Sequence, residues 1–180
     1  MLVKIKRMGT ANIHLPFGNR FNAPKIIVLH AMAEYIHANE AVVDYYKGKG
    51  KVIELNRDYS AVEWLRALGY SAHKLVTPSG LTIKCRDYSQ GAYHAKGYNT
   101  DSLGIEFLVP GIHTYGSFIE ALKTPYLSPN AFDSGVEVVR AWMNLCNIEK
   151  GEIRTHEELS PDRKKDPGSG YPLNDFLNAL

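Results

Sequence analysis

The sequence predicts an α/β fold, a single domain with a central mixed β-sheet flanked by helices. Three observations carry that prediction. Apolar β-branched runs alternate with segments of helical period, one pair of alternating runs is joined by a tight turn, and 180 residues with 44% hydrophobic content suffice for one core. Residues 1–24 read as an irregular N-terminal segment, punctuated by His14, Pro16, Gly18 and Pro24. Residues 25–180 are the folded domain.

Lys25-Ile26-Ile27-Val28-Leu29-His30 reads as a buried strand that delivers its last side chain to a sheet edge. Residues 31–57 read as a variable insertion: a short helix over 40–46, a turn at Gly48-Lys49-Gly50-Lys51, and a strand-like Val52-Ile53-Glu54-Leu55. Asp58 or Ser60 can cap a helix over 61–68, with Val62, Leu65 and Leu68 on one face and Gly69 as its stop. Ser71 to Thr77 and Leu81 to Cys85 form a hairpin around Pro78-Ser79-Gly80. Residues 86–101 are loop, 102–109 an apolar strand stopped by Pro110-Gly111, and 112–130 a second variable loop. Asp133 can cap a helix from Ser134 to about Asn147, and Glu152-Ile153-Arg154-Thr155 is a short strand leading into a loop at His156.

The bulk numbers exclude several roles. Twenty-one Lys and Arg against nineteen Asp and Glu leave +2, with no dense basic run, so nucleic acid is not the expected partner. The N-terminus has cations but no apolar h-region, and no apolar stretch is long enough to span a bilayer. The expectation is a monomer made in the cytoplasm, without signal peptide or membrane contact. Cys85 and Cys146, far apart in unlike contexts, read as two buried thiols rather than a disulfide or a nucleophile.

The chemistry concentrates in the run from Thr155 to Gly168. His156 offers a nitrogen ligand and Asp166 an anionic oxygen, a pair that suits zinc when a third donor comes from elsewhere and one position is left to water. His30 is the candidate third donor. Such a metal polarises a carbonyl and lowers the pKa of water to about 7, and it still needs a nearby base and a cation for the developing oxyanion. Glu106, among the apolar residues Leu103 to Phe107, is the candidate base, or else an outward-facing residue of an alternating strand. Lys164 is the candidate cation, or else a solvated charge in Arg163-Lys164-Lys165. His156-Glu157-Glu158-Leu159-Ser160 lacks the second histidine of His-Glu-x-x-His, which rules out a zincin helix. His73 reads as a packed histidine, His94 as a cleft-lining one, and His14, His37 and His113 as surface residues.

Four pieces occur in order: Ile26 to His30; Ser71 to Val76 with its Ser79-Gly80 turn; His94-Ala95-Lys96-Gly97-Tyr98-Asn99 leading into Ser102-Leu103-Gly104-Ile105-Glu106; and His156 to Gly168. Together they resemble the zinc-dependent N-acetylmuramoyl-L-alanine amidases of the amidase-2 group, which share a fold with peptidoglycan recognition proteins and amidase-type phage lysozymes. The resemblance covers roughly residues 25–170 and leaves the loops at 38–57 and 112–130 unmatched. It implies one zinc ion held by His30, His156 and Asp166, with Glu106 activating water, Lys164 holding the oxyanion, and His94 and Asn99 contacting substrate. The expected reaction is hydrolysis of the amide between N-acetylmuramic acid and L-alanine in peptidoglycan.

Phage and recognition-type members often use a cysteine as third ligand and a tyrosine before the hairpin histidine. This chain has Asp166 and Ala72 instead, which implies the aspartate-and-glutamate style of bacterial recycling and envelope amidases. Ala31-Met32-Ala33 replace the small hydroxylated residues that commonly follow the first ligand. The segment from His94 to Asn99 looks most like the phage enzymes, so the expected setting is a bacteriolytic phage endolysin. The alternatives are a cytoplasmic recycler of anhydro-muropeptides, a zinc peptidase, and a non-catalytic peptidoglycan-binding module. No wall-binding module is expected after residue 180, which suits thin peptidoglycan.

Overall fold

A computed structural model describes residues 10–12 and 23–180. The strands are β1 (Thr10–Asn12), β2 (Ile26–Ala38), β3 (Arg57–Ser60), β4 (Lys74–Val76), β5 (Thr82–Lys84), β6 (Ser102–His113) and β7 (Ile153–Thr155). The helices are α1 (Glu40–Lys47), α2 (Ala61–Leu68), α3 (Tyr115–Ala121), α4 (Pro129–Cys146), α5 (His156–Leu159) and α6 (Leu173–Asn178). The strands form one mixed sheet in the order β1-β5-β4-β6-β2-β3, with β7 also paired to β2. The expected mixed α/β architecture is the one observed. Within the segment read as irregular, Thr10–Asn12 is a short strand parallel to β5; His14 lies outside the described residues.

The two long strands are the axis of the sheet. β2 runs parallel to β6 along nearly its whole length, while its other edge is shared, Ile27 to Leu29 by β7 and Tyr35 to Ala38 by β3. Ile27, Leu29, Leu103, Ile105 and Phe107 lie on one face and pack with Val136, Val139 and Trp142 of α4 and Phe176 of α6. The alternate residues leave the opposite face, where Leu108 and Leu75 pack with Ala61 and Leu65 of α2. His30 and Glu106 are cross-strand partners on that second face. No described helix is long and apolar enough to cross a membrane.

Several boundaries differ from expectation. His30 is not the last residue of its strand: β2 continues through the alternating residues to Ala38 because β3 covers that half of its edge. Pro110-Gly111 does not stop β6, since register slips from Ala33 opposite Val109 to Tyr35 opposite Ile112, and the extra residue is taken up as a bulge. There the Glu34 carboxylate accepts the Gly111 amide at 3.1 Å. Val52 to Leu55 is not a strand; the pairing residues come just after it, as β3. The 112–130 loop contains α3, capped by Thr114. α4 starts five residues earlier than Ser134, because Ser128 caps it and Pro129 occupies a first-turn position where no amide donor is needed. The run after Thr155 is not loop at its start: Thr155 and Glu158 form a capping box around α5. The 61–68 helix and its Gly69 stop, with Ser60 as the cap, and the hairpin stand where expected.

Candidate metal centre

β2 supplies His30, and the end of β7 supplies His156 as the first residue of α5. The loop that follows α5 returns to bring Asp166 alongside, anchored where the Glu157 amide donates to the Asp166 carbonyl at 2.9 Å. His30 Nδ1 lies 2.8 Å from His156 Nδ1 and 3.3 Å from Asp166 Oδ2, and His156 Nδ1 lies 2.9 Å from the same oxygen. All three side chains are buried.

This is the group among the described residues that could hold a metal ion. Two imidazole nitrogens and one carboxylate oxygen are the donor set of a catalytic zinc site, in which ligands at about 2.0–2.1 Å in a tetrahedron stand roughly 3.3 Å from one another. The observed spacings fall at and just under that value. The residues present fit the group.

Electrostatics separates the neighbours into roles. Burial pushes His30 down to about 4, with the His156 charge acting the same way and Asp166 opposing, so its imidazole is neutral and available as a ligand at neutral pH. Burial alone would raise Asp166, but the hydrogen bond with His156 and the two imidazoles beside the carboxyl outweigh it and hold it well below its usual range. Glu106, whose Oε1 is 4.0 Å from His30 Nδ1, is pushed up to about 8 by burial and then by the Asp166 charge, against the pull of Lys164. It is buried, not outward-facing. Lys164 is half-buried, and its charge reaches both Glu106 and His30. Its neighbour Lys165 is exposed and pairs with Glu157 at 3.6 Å. Cys85 is a buried thiol as expected, whereas Cys146 is only half-buried; burial pushes the Cys85 thiol up to about 12, which removes it as a nucleophile.

The two residues expected on substrate have internal partners. His94 places Nδ1 2.9 Å from His30 Nε2 and Nε2 3.0 Å from Ser102 Oγ. Asn99 Oδ1 accepts the backbone amides of His94 and Ala95 at 3.1 and 2.9 Å. His73 is fully buried and hydrogen-bonded, accepting the Gly104 amide on Nδ1 at 2.9 Å and donating Nε2–H to the Gln90 carbonyl at 2.9 Å. His37 pairs with Asp58 at 2.7 Å and His113 donates to the Pro110 carbonyl at 2.8 Å.

Sequence reasoning missed Tyr126. From the loop read as variable, its hydroxyl donates to the Pro167 carbonyl at 3.0 Å, next to Asp166. No spacing or motif around it signals that contact.

The sequence profile described as N-acetylmuramoyl-L-alanine amidase (Amidase_2) matches residues 20–169. A comparison with curated protein sequences finds no match. Among solved structures, a selenomethionine derivative of AmpD shares 18% identity at a TM-score of 0.66, covering 95% of this chain and 94% of that one. The amidase LysC from Clostridium intestinale URNW shares 17% at 0.57, covering 93% and 95%. AmiD from E. coli, in complex with anhydro-N-acetylmuramic acid-L-Ala-D-gamma-Glu-L-Lys, shares 17% at 0.58, covering 88% of this chain and 58% of that one. These likenesses show the fold. With a profile match that spans most of its length, the chain belongs to the N-acetylmuramoyl-L-alanine amidase family.

Proposed function

We propose that this amidase is a zinc-dependent hydrolase that cleaves the bond between the lactyl group of N-acetylmuramic acid and L-alanine of the stem peptide. The observation that carries this reading is the convergence of His30, His156 and Asp166 beside the cross-strand carboxylate of Glu106. His30, His156 and Asp166 would hold the ion, which would supply polarisation of the scissile carbonyl and a water acidic enough to react at neutral pH. Glu106 accepts the proton of the attacking water on a carboxylate oxygen and passes it to the leaving amine nitrogen. The carboxylate is the accepting form, and the charges of Lys164 and of a bound cation would favour it against the burial that raises the free carboxyl. Lys164, a cation without an ion-pair partner among the described residues, holds the negative charge that develops on the carbonyl oxygen. His94 and Asn99 act in this reading as supports of the centre rather than as substrate contacts.

Mass spectrometry of digested muropeptides tests the bond: free stem peptides beginning at L-alanine support it, whereas cleavage within the peptide overturns it. His30→Ala is expected to lose zinc. Glu106→Gln is expected to keep zinc while turnover falls by roughly 10²–10⁴-fold, and an active Glu106→Gln removes the base assignment.

The setting we propose is an endolysin that acts on intact peptidoglycan, supported by the phage-like segment from His94 to Asn99. A second reading, a recycling enzyme for anhydro-muropeptides, is supported by aspartate rather than cysteine at position 166. Rates on intact sacculi and on soluble anhydro-muropeptides separate them: faster release from sacculi fits the endolysin, and activity confined to soluble fragments fits the recycler.

A further inference from the structure

We infer that His94 is a positioning residue for His30: a directed chain of hydrogen bonds through His94 fixes which nitrogen of His30 carries its proton. The direction follows from one atom. The Tyr98 carbonyl can only accept, so Ser102 spends its single hydroxyl proton on it, at 2.6 Å. Ser102 Oγ must then accept from His94, so His94 Nε2, 3.0 Å away, carries a ring proton. His94 Nδ1 and His30 Nε2, 2.9 Å apart, can hold only one proton between them, and with His94 keeping its own on Nε2 the pair is satisfied by Nε2–H of His30 donating to the Nδ1 lone pair. His30 Nδ1 is therefore left with its lone pair directed at His156 and Asp166.

The surroundings are built for that ring. A Cβ on Gly104 would stand 2.5 Å from His94 Nδ1 and 2.7 Å from Cγ, so β6 carries no side chain where the imidazole lies. Asn99 holds the loop that carries His94 by taking its two amides, and His73 clasps Gly104 by donating its amide to the Gly104 carbonyl and accepting the Gly104 amide, each at 2.9 Å. His156 has no equivalent. Its Nε2 is buried without a hydrogen-bond partner among the described residues. The chain thus prepares one imidazole ligand and leaves the other to be set by the ion.

The inference rests on the zinc reading for its consequence but not for its first test. In the metal-free full chain at neutral pH, nitrogen–proton correlation spectra of the imidazoles are expected to show His94 and His30 with the proton on Nε2. A proton on Nδ1 of His94 overturns the inference whether or not zinc binds. The second test is zinc affinity by chelator competition. His94→Phe removes the acceptor, so His30 either strands a buried N–H or moves its proton to the ligating nitrogen, and affinity is expected to fall 10–100-fold. His94→Asn restores an acceptor near the Nδ1 position and is expected to regain most of that loss, which a purely structural role would not do. Ser102→Ala deletes one atom and is expected to weaken zinc several-fold, and it carries the test if His94→Phe does not fold. Unchanged affinity in Ser102→Ala, or His94→Asn no tighter than His94→Phe, overturns the inference; a wild-type protein that binds no zinc overturns the metal reading itself.

Discussion

In the metal-free fold, burial and the Asp166 charge keep the Glu106 carboxyl protonated at neutral pH, and that has a consequence for stability. In the unfolded chain its ordinary value is 4.5, whereas burial and Asp166 push it up to about 8 in the fold. Above pH 4.5 the unfolded state releases this proton while the native state retains it, so stability falls as pH rises and levels off past 8. His30 works at the other end: depressed from 6.5 to about 4, it contributes stability that is present above 6.5 and lost as pH falls toward 4. Between pH 6.5 and 8 the slope therefore belongs to Glu106, and it amounts to about 2 kcal/mol across that window. Urea unfolding of the chelator-treated protein should show this decline in the wild type and a flat profile in Glu106→Gln. A declining profile that survives Glu106→Gln would assign the buried proton to another group.

At the scale of elements, the candidate third ligand, Asp166, depends on a segment that carries none of the three candidate ligands. The turn after α3 braces the Asp166 loop: the Gly170 amide donates to the Leu122 carbonyl at 2.7 Å, and Tyr126 donates to Pro167 at 3.0 Å. A Cβ at Gly170 would overlap the carbonyls of Thr124 and Leu122, and one at Gly168, whose φ is +78°, would meet Leu122 at 2.7 Å. Gly170→Ala is expected to destabilise the fold by about 1–3 kcal/mol and to weaken zinc binding, because the loop must shift to make room. Tyr126→Phe removes one hydrogen bond and should cost about 1 kcal/mol. Thermal melts and zinc titration of both variants check this; unaltered zinc affinity in Gly170→Ala would mean that the brace does not reach Asp166. This brace also marks where the sequence stops being legible. His30, Glu106, His156 and Asp166 could be picked out because burying a charge or imidazole in apolar or Pro/Gly-rich surroundings leaves a local trace. The α2 cap at Ser60 and the hairpin were legible for the same reason, since their signals span only a few residues. The continuation of β2 to Ala38 was not, because it depends on β3 arriving along its edge. Tyr126 and Leu122 were not, because their partners lie roughly forty to fifty residues further along and no local pattern encodes them.

Across the whole molecule, the candidate ligands come from opposite ends of the fold. His30 is 126 residues from His156 and 136 from Asp166, and the three meet only because β7 pairs with the first half of β2 while β6 holds its other edge. An unfolded chain has no preformed site of this kind, so the free energy of metal binding adds to the free energy of folding. At a free zinc concentration a thousandfold above the dissociation constant, the gain is about 4 kcal/mol. For a domain of this size each kcal/mol moves the melting temperature by roughly 2–4 °C, so adding zinc to the chelator-treated protein should raise it by about 8–16 °C. His30→Ala should melt at one temperature with and without zinc, since it deletes the ligand from the central strand and leaves the sheet pairing intact. Gly170→Ala should keep a smaller zinc-dependent rise, since its ligands remain but their loop is displaced. Calorimetry on the three proteins with and without zinc decides the matter: a wild type whose melting temperature ignores zinc would show that the convergence of these three side chains serves the apo fold and not a metal.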